Sequence, residues 1–198
     1  MKRKATSRRR GEELEQAILD AAWAEFSEVG FARLTMEGVA KRAGTSKPVL
    51  YRRWPSRVEL LIACVANRIP RAELIPDTGS LRGDLVALLT LARERMRLIG
   101  QGAMLGILAE VSADPVARNA LFAGLIDELV TLLYAGVYQR AIARGELDEA
   151  HLTPRLRRLP TDLVRNEFLV FSDASDTAID EMVDEVILPA LRARGART

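Results

Sequence analysis

The sequence predicts an all-α protein, and three observations carry that expectation. Apolar residues recur at three- and four-residue spacings along most of the chain, and no stretch sustains the strict alternation of a half-buried strand. The breaks between apolar runs hold residues that cap or stop helices. The pattern divides into about nine helices, short ones before Pro70 and longer ones after the connection PDTGS at 76–80.

The first helix is expected over 12–29, where Leu14, Ala17, Ile18, Ala21, Ala22, Phe26 and Val29 keep the helical spacing and Gly30 stops it. Thr35 caps a short helix, MEGVAKRA, that ends at Gly44. Ser46 caps the next, KPVLYRRW, in which Pro48 is tolerated because first-turn N–H groups have no helical acceptor to lose. Ser56 with Glu59 forms a capping box for a fourth helix ending near Pro70. Beyond Ser80 the expected helices are 81–99, 101–112, 115–144, 154–171 and 176–193, with Asp114-Pro115 as a start signal and Gly145 as a stop. The expected domains are a disordered basic arm over 1–11, a helix-turn-helix head of three helices over 12–56, and a larger helical domain over 57–198.

With 48% apolar residues in 198, the chain can bury a sizeable core. Its net charge of +2 is unevenly spread: residues 1–57 carry 13 Lys/Arg against 7 Asp/Glu, and residues 58–198 carry 16 against 20. A polyanion would therefore be met by the first segment. A single cysteine, Cys64, excludes a disulfide framework. With a single histidine, His151, it leaves no usual zinc spacing, so neither metal nor cofactor is expected. The charged N-terminus has no apolar segment behind it, and the longest apolar run, LLIACVA at 60–66, is too short to span a bilayer. A cytoplasmic protein without membrane contact is the expectation. The glycines of GQGAMLG at 100–106 follow no strand and precede no lysine, so they form no phosphate loop. Carboxylate pairs such as Glu12/Glu13 and Asp180/Glu181 read as solvated helix faces. No catalytic constellation is visible, and the chain is not expected to be an enzyme.

The informative stretch is AGTSKPVLYRRWPSR at 43–57. Two short helices joined by Gly-Thr-Ser match a helix-turn-helix, whose second helix enters the major groove. At about 100° per residue, with Leu50 set to zero, Trp54 falls at about 40°, so both pack inward with Val39 and Ala40. Pro48 at about 160° and Arg52 at about 200° lie on the opposite face, flanked by Val49 and Tyr51. Lys47 sits in the first turn, where free N–H groups favour phosphate. Arg52 is the expected base reader, because a guanidinium can donate two parallel bonds to a guanine edge. Tyr51 either covers the helix edge or lends its hydroxyl to a phosphate. The six basic residues among positions 2–10 are either a floppy tail or an arm that reaches an adjacent minor groove.

The segment TMEGVAKRAGTSKPVLYRRWPSRVELL resembles the helix-turn-helix of the tetracycline-repressor (TetR) family in its Thr-led short helix, Ala-Gly-x-Ser-Lys, Leu-Tyr-x-x-aromatic and Ser-basic pair. AAWAEFSEVGFARLTM resembles that family's first helix and its exit, and ADPVARNALFAGLIDELV with AIARGELDE resembles its C-terminal part in outline. The resemblance implies a sequence-specific transcriptional regulator, an all-helical homodimer acting as a repressor. Its heads would bind a palindromic double-stranded DNA operator, and its C-terminal effector-binding and dimerisation domains would hold a small hydrophobic effector that releases the DNA. The family's DNA contacts carry over to Thr35, Thr45, Ser46, Lys47, Pro48, Val49, Tyr51, Arg52 and Arg57. The chain departs from the family at Pro48 and Val49, where small or polar residues are common, at Arg53, where a His is frequent, and at Trp54, where Phe is usual. The alternative is a protein that binds nucleic acid or anionic surfaces non-specifically, without effector control.

Two further sets of residues are singled out by the C-terminal part. Arg93, Met96, Met104, Leu105, Leu108, Asn166 and Phe168 are candidates to line an effector pocket, since Gly100, Gly102, Ala103 and Gly106 would thin the packing around Met. Taken singly, each also suits core packing or solvation. On the last helix, Ile179, Met182, Val183, Val186, Ile187 and Leu191 form an apolar face that nothing downstream could cover, with Leu163, Phe168 and Phe171 of the preceding helix beside it. These residues are the expected dimer interface.

Overall fold

The computed structural model describes residues 2–68, 75–121 and 125–192, those at 2–10 and 120 without their side chains. Among the described residues there are helices and turns but no strand. In chain order the helices are α1 (Lys2–Val29), α2 (Met36–Arg42), α3 (Lys47–Tyr51), α4 (Arg57–Ala66), α5 (Leu81–Ile99) and α6 (Gln101–Ala113). There follow α7 (Pro115–Leu121), α8 (Asp127–Leu133), α9 (Gln139–Ala143), α10 (Pro154–Phe171), α11 (Asp176–Glu181) and α12 (Leu188–Arg192). A π-helical stretch, Tyr134–Tyr138, joins α8 to α9, and another, Met182–Ile187, joins α11 to α12. The single helices expected over 115–144 and 176–193 are thus composite, and residues 122–124 of the first lie outside the described residues. The chain divides into two compact units, Met1–Ile69 with Leu105–Ile126, and Pro70–Met104 with Asp127–Thr198.

The first unit is organised around α4, against which α1 and α7 pack. Val58, Leu60, Leu61, Ile62 and Cys64 are all buried, so α4 is apolar on nearly every side, as a helix enclosed by others must be. Its start is the expected cap: the Ser56 hydroxyl accepts the Glu59 N–H at 3.1 Å. From α1 come Ile18, Leu19, Ala21, Ala22 and Phe26, while Leu14 remains exposed. This helix begins at Lys2 rather than at residue 12, so the backbone of the segment expected as a disordered arm continues α1. Apolar spacing cannot report a helix where there are few apolar residues, whereas Lys, Arg and Ala have favourable helix propensity.

Gly30 ends α1 with a φ of 74°, a conformation that a residue with a Cβ rarely adopts. A 3-10 turn at Phe31–Arg33 then leads to α2, where the Thr35 side chain accepts the Gly38 N–H at 3.0 Å. Gly106 of α6 lies flat against the Phe31 ring, and a Cβ there would meet two ring carbons at 2.5 and 2.6 Å. Gly106 therefore tightens packing in the first unit, where the sequence suggested that it thins it.

The second unit packs α5 and α8 on α10, and the segment from α11 to α12 on both α5 and α10. Asp84, fully buried on α5, accepts the N–H and hydroxyl of Thr78 at 2.8 and 2.9 Å and the guanidinium of Arg144 at 3.0 Å. Burial raises its pKa, but these donors outweigh it and hold the carboxyl below its ordinary range. Pro160 lies inside α10 and has no N–H to give the Leu156 carbonyl. The buried Tyr138 hydroxyl donates to that carbonyl instead, at 3.1 Å.

The expected dimer interface is corrected by this unit. Phe168, Ile179, Val183, Ile187 and Leu191 are at most 2% exposed within the single chain. Helical spacing finds the face that avoids water, but here the cover is supplied by the same chain. Leu163 and Met182 are only half-buried, and Phe171 and Val186 are 67% and 45% exposed.

The candidate effector residues are dispersed rather than gathered. Arg93 is buried and already engaged: it donates to the Ala174 carbonyl at 3.1 Å and pairs with Asp176 and Glu94. It anchors the turn between α10 and α11, with Nε, Nη1 and Nη2 each turned to a partner within the chain. Met96 and Phe168 are buried, Met104 is half-buried, and Asn166 is exposed. Leu105 and Leu108 belong to the first unit and are exposed. An open depression of about 290 Å³ in the second unit is lined by Gly145, Glu146, Leu147, Asp148, His151, Leu191 and Arg192, and by none of these candidates.

Candidate DNA-binding site

The turn between α2 and α3 is built by Gly44, whose φ of 61° reverses the chain while the Thr45 N–H bonds the Ala40 carbonyl at 3.0 Å. Leu50, Val39 and Ala40 are buried between the two helices, and Trp54 is 8% exposed, so the inward face is the one the angular arithmetic names. Helix α3 is shorter than expected and closes at Tyr51. The N–H groups of Arg53 and Trp54 both bond the Leu50 carbonyl at 2.9 Å, a tightened last turn that carries the indole inward.

The opposite face is exposed at Lys47, Pro48, Tyr51 and Arg52, with Val49 half-buried. Ser46 holds an extended cap conformation, yet its hydroxyl makes no capping bond, unlike those of Thr35 and Ser56. Pro48 removes one first-turn donor, and the Val49 N–H closes on the Ser46 carbonyl at 3.0 Å. Ser46 is itself exposed, next to Lys47 in the chain. Thr35 is exposed but its hydroxyl oxygen is engaged in the α2 cap, and Thr45 is half-buried.

Ion pairs sort the cations of this region. Arg42 bridges Glu25 and Glu28, Arg53 pairs with Glu15, and Arg68 pairs with Asp20, so these guanidinium groups tie α1 to the elements packed on it. Lys47 meets Glu37 at 2.8 Å. The hydrogen bond and charge of each raise the lysine's pKa and lower the carboxyl's. Arg57, carried over from the family as a DNA contact, is engaged within the unit. It donates to the carbonyls of Ala32 and Leu34 at 3.4 and 3.3 Å, pairs with Glu110 of α6, and lies over the Phe31 ring at 4.9 Å. It is held by four groups of its own unit, which is the reason a phosphate role does not follow from its position. Between Gly11 and Arg68 the cations left without a side-chain partner among the described residues are Arg33, whose Nε donates to the Val29 carbonyl at 3.0 Å, and Lys41 and Arg52, all three exposed. Lys41 was not singled out by the sequence. The sequence hid it, since Glu37 stands four residues before Lys41 and offers a pairing on the same helix, whereas in the structure Glu37 pairs with Lys47.

A helix-turn-helix whose second helix turns its polar face outward defines a DNA-binding protein, and the chain belongs to the tetR family of bacterial regulatory proteins. The family's N-terminal profile matches residues 18–64, and the tetracycline repressor-like C-terminal domain profile matches residues 75–186. The chain is similar to an uncharacterized HTH-type transcriptional regulator of Mycobacterium tuberculosis, with 35% identity over 83% of this chain and 81% of that one. It is similar to the DNA-binding transcriptional repressor TetR of Mycobacteroides abscessus, with 27% identity over 95% of this chain and 98% of that one. A TetR transcriptional regulator from Rhodococcus sp. RHA1 shares the fold with a TM-score of 0.59 and 20% identity, over 92% of this chain and 99% of that one. The protein is thus a DNA-binding transcriptional regulator of this family. Among the described residues no helix is long and apolar enough to cross a membrane.

Proposed function

We propose that the protein is a repressor that binds a palindromic operator as a homodimer and is released from it by a small hydrophobic effector. The observation that carries the DNA-reading part is the outward face of α3: Arg52 is exposed and unpaired, opposite the buried Leu50 and Trp54 and beside the half-exposed Tyr51 ring. In this reading Arg52 contacts a base edge, and Lys41, Ser46, Lys47 and Tyr51 contact phosphates, while Thr35, Thr45, Pro48 and Val49 shape the surface that enters the groove. Arg57 acts indirectly, by holding the start of α4 to the turn before α2 and to α6.

The dimer face consists of Leu163, Phe171, Met182 and Val186, the members of the expected interface that the chain itself leaves uncovered. Two-fold pairing through that face would present two heads to half-sites about one DNA turn, roughly 34–36 Å, or a little more apart. The repressor reading is supported by relatives that bear that name, such as the M. abscessus protein. A gel-shift competition between DNA from upstream of the protein's own gene and random duplex tests the proposal. Preferential retention of the upstream DNA is expected. Equal displacement by random duplex would point to non-specific binding instead.

A further inference from the structure

The apolar face of α10 that the chain itself covers is not the helix's only one. With Leu163 set to zero and about 100° per residue, the buried Val164 and Phe168 fall at about 100° and 140°. A second strip runs along the other side: Leu156 at about 20°, Leu159 at about −40°, Leu163, Asn166 at about −60° and Val170 at about −20°. None of the five is buried, and Asn166 and Val170 are exposed. Their spacing alternates between three and four residues, the heptad repeat by which one helix packs along another. The rise of the helix gives the strip a length of about 21 Å.

The strip is continuous with the apolar face assigned above to pairing, since it shares Leu163 with that face and runs beside Phe171 on the same helix. Charge along the rim fits a second copy of the chain. Among the described residues Arg155 of α10 and Glu181 and Glu185, next in the chain to Met182 and Val186, stand exposed without a side-chain partner. A surface with free charges of both signs, turned on itself by a two-fold axis, can bring each to its opposite. The centre of the strip demands more. Asn166 is its single polar residue, and the amide carries two donors and an acceptor that need partners once water is removed. Between two identical strips the one side chain able to supply both is the other Asn166.

We infer that Asn166 of one protomer meets Asn166 of the partner subunit at the two-fold axis, and that this pair fixes the register in which the two α10 strips pack. The inference rests on the homodimer reading and goes beyond it by naming the residue on the axis. Leucines alone specify register weakly, because a strip slipped by one heptad still buries leucine against leucine. A slipped pairing that sets the Asn166 amide against Leu159 or Leu163 leaves that amide unsatisfied, and the cost selects the aligned one. The selection matters for operator binding: a slip of one heptad displaces one protomer along the other by about 10 Å, enough to lose two half-sites of fixed spacing.

The test is a charge exchange at position 166 in the full-length protein, read by sedimentation equilibrium. Asn166→Asp and Asn166→Lys should each raise the dimer dissociation constant roughly tenfold or more at neutral pH, because like charges would face one another at the axis. Mixed in equal amounts, the two should recover dimers nearly as tight as the wild type's. Asn166 is exposed within the chain, so neither change touches the protomer's core. A second measurement needs no charge: Asn166→Cys should link protomers on mild oxidation, with the buried Cys64 taking no part. Arg158→Cys, about 120° from the middle of the strip, should not link them. The inference is overturned if either charged variant dimerises like the wild type, if the mixture is no tighter than its components, or if Asn166→Cys does not cross-link. A wild type that is dimeric in those cases keeps the homodimer reading with another residue on the axis, whereas a wild type that is monomeric at every concentration removes both.

Discussion

The head and the body each leave exposed cations without a side-chain partner, and in the head two of them lie in the helix-turn-helix. In the head, Lys41 and Arg52 project into solvent, where water satisfies them until a polyanion displaces it. In the body, Arg155 and Arg192 stand exposed, and Arg95 is half-buried with only its Nε closed off and unpartnered. What sets the head apart is that its exposed cations stand in a helix-turn-helix, where a polyanion would be met. Other cations hold the fold together in both regions: Arg42, Arg53, Arg57 and Arg68 in the head, and Arg82, Arg93, Arg97 and Arg144 in the body.

The largest effect that separates the two regions should come from the body's uncovered apolar face. Phe171→Glu combined with Val186→Glu should yield folded monomers by sedimentation and weaken operator binding about 10²–10⁴-fold through the loss of bivalency. Val183→Glu, placed in the protomer's own core, should abolish cooperative unfolding instead. A double variant that stays dimeric would show that pairing uses another surface. Next in size, Arg52→Ala should cost about 1–3 kcal/mol at the operator while affecting random DNA far less. Arg57→Ala should reverse that pattern: about 1 kcal/mol is lost from stability in urea unfolding, and the salt dependence of DNA binding is retained. A reduced salt slope would mean that Arg57 does reach a phosphate. The smallest effect concerns Glu37 and Lys47. The carboxyl's folded pKa is depressed, so the pair's contribution is present above the ordinary glutamate range and is lost as pH falls through the folded value. The wild type should therefore lose slightly more thermal stability than Glu37→Gln between neutral and acidic pH, and identical losses would remove the pair from the account.

The head was legible because its signals are local. Gly44 with its positive φ, the caps at Thr35 and Ser56, and the four-residue spacing of Leu50 and Trp54 are each written within a few residues. What could not be read there was the commitment of Arg57, since its partners Phe31 and Glu110 are distant in sequence. The body was legible as helices and much less as surfaces. The apolar periodicity of Ile179, Val183, Ile187 and Leu191 is the same whether a helix faces a partner or its own chain, and here it faces its own chain. Likewise Arg93 and Arg95 are both arginines on one amphipathic helix, and only the turn at Ala174 and Asp176 distinguishes the engaged one from the idle one.

The central claim is that paired heads read base edges through Arg52, and selection of bound sequences from a randomised duplex library tests it most directly when wild type and Arg52→Ala are run in parallel. The wild type should enrich a two-fold symmetric site with half-site centres about one helical turn or a little more apart. Arg52→Ala should lose the preference at one position in each half-site, symmetrically, and keep the rest. Enrichment of no motif, or of a motif that Arg52→Ala leaves intact at every position, would contradict the account.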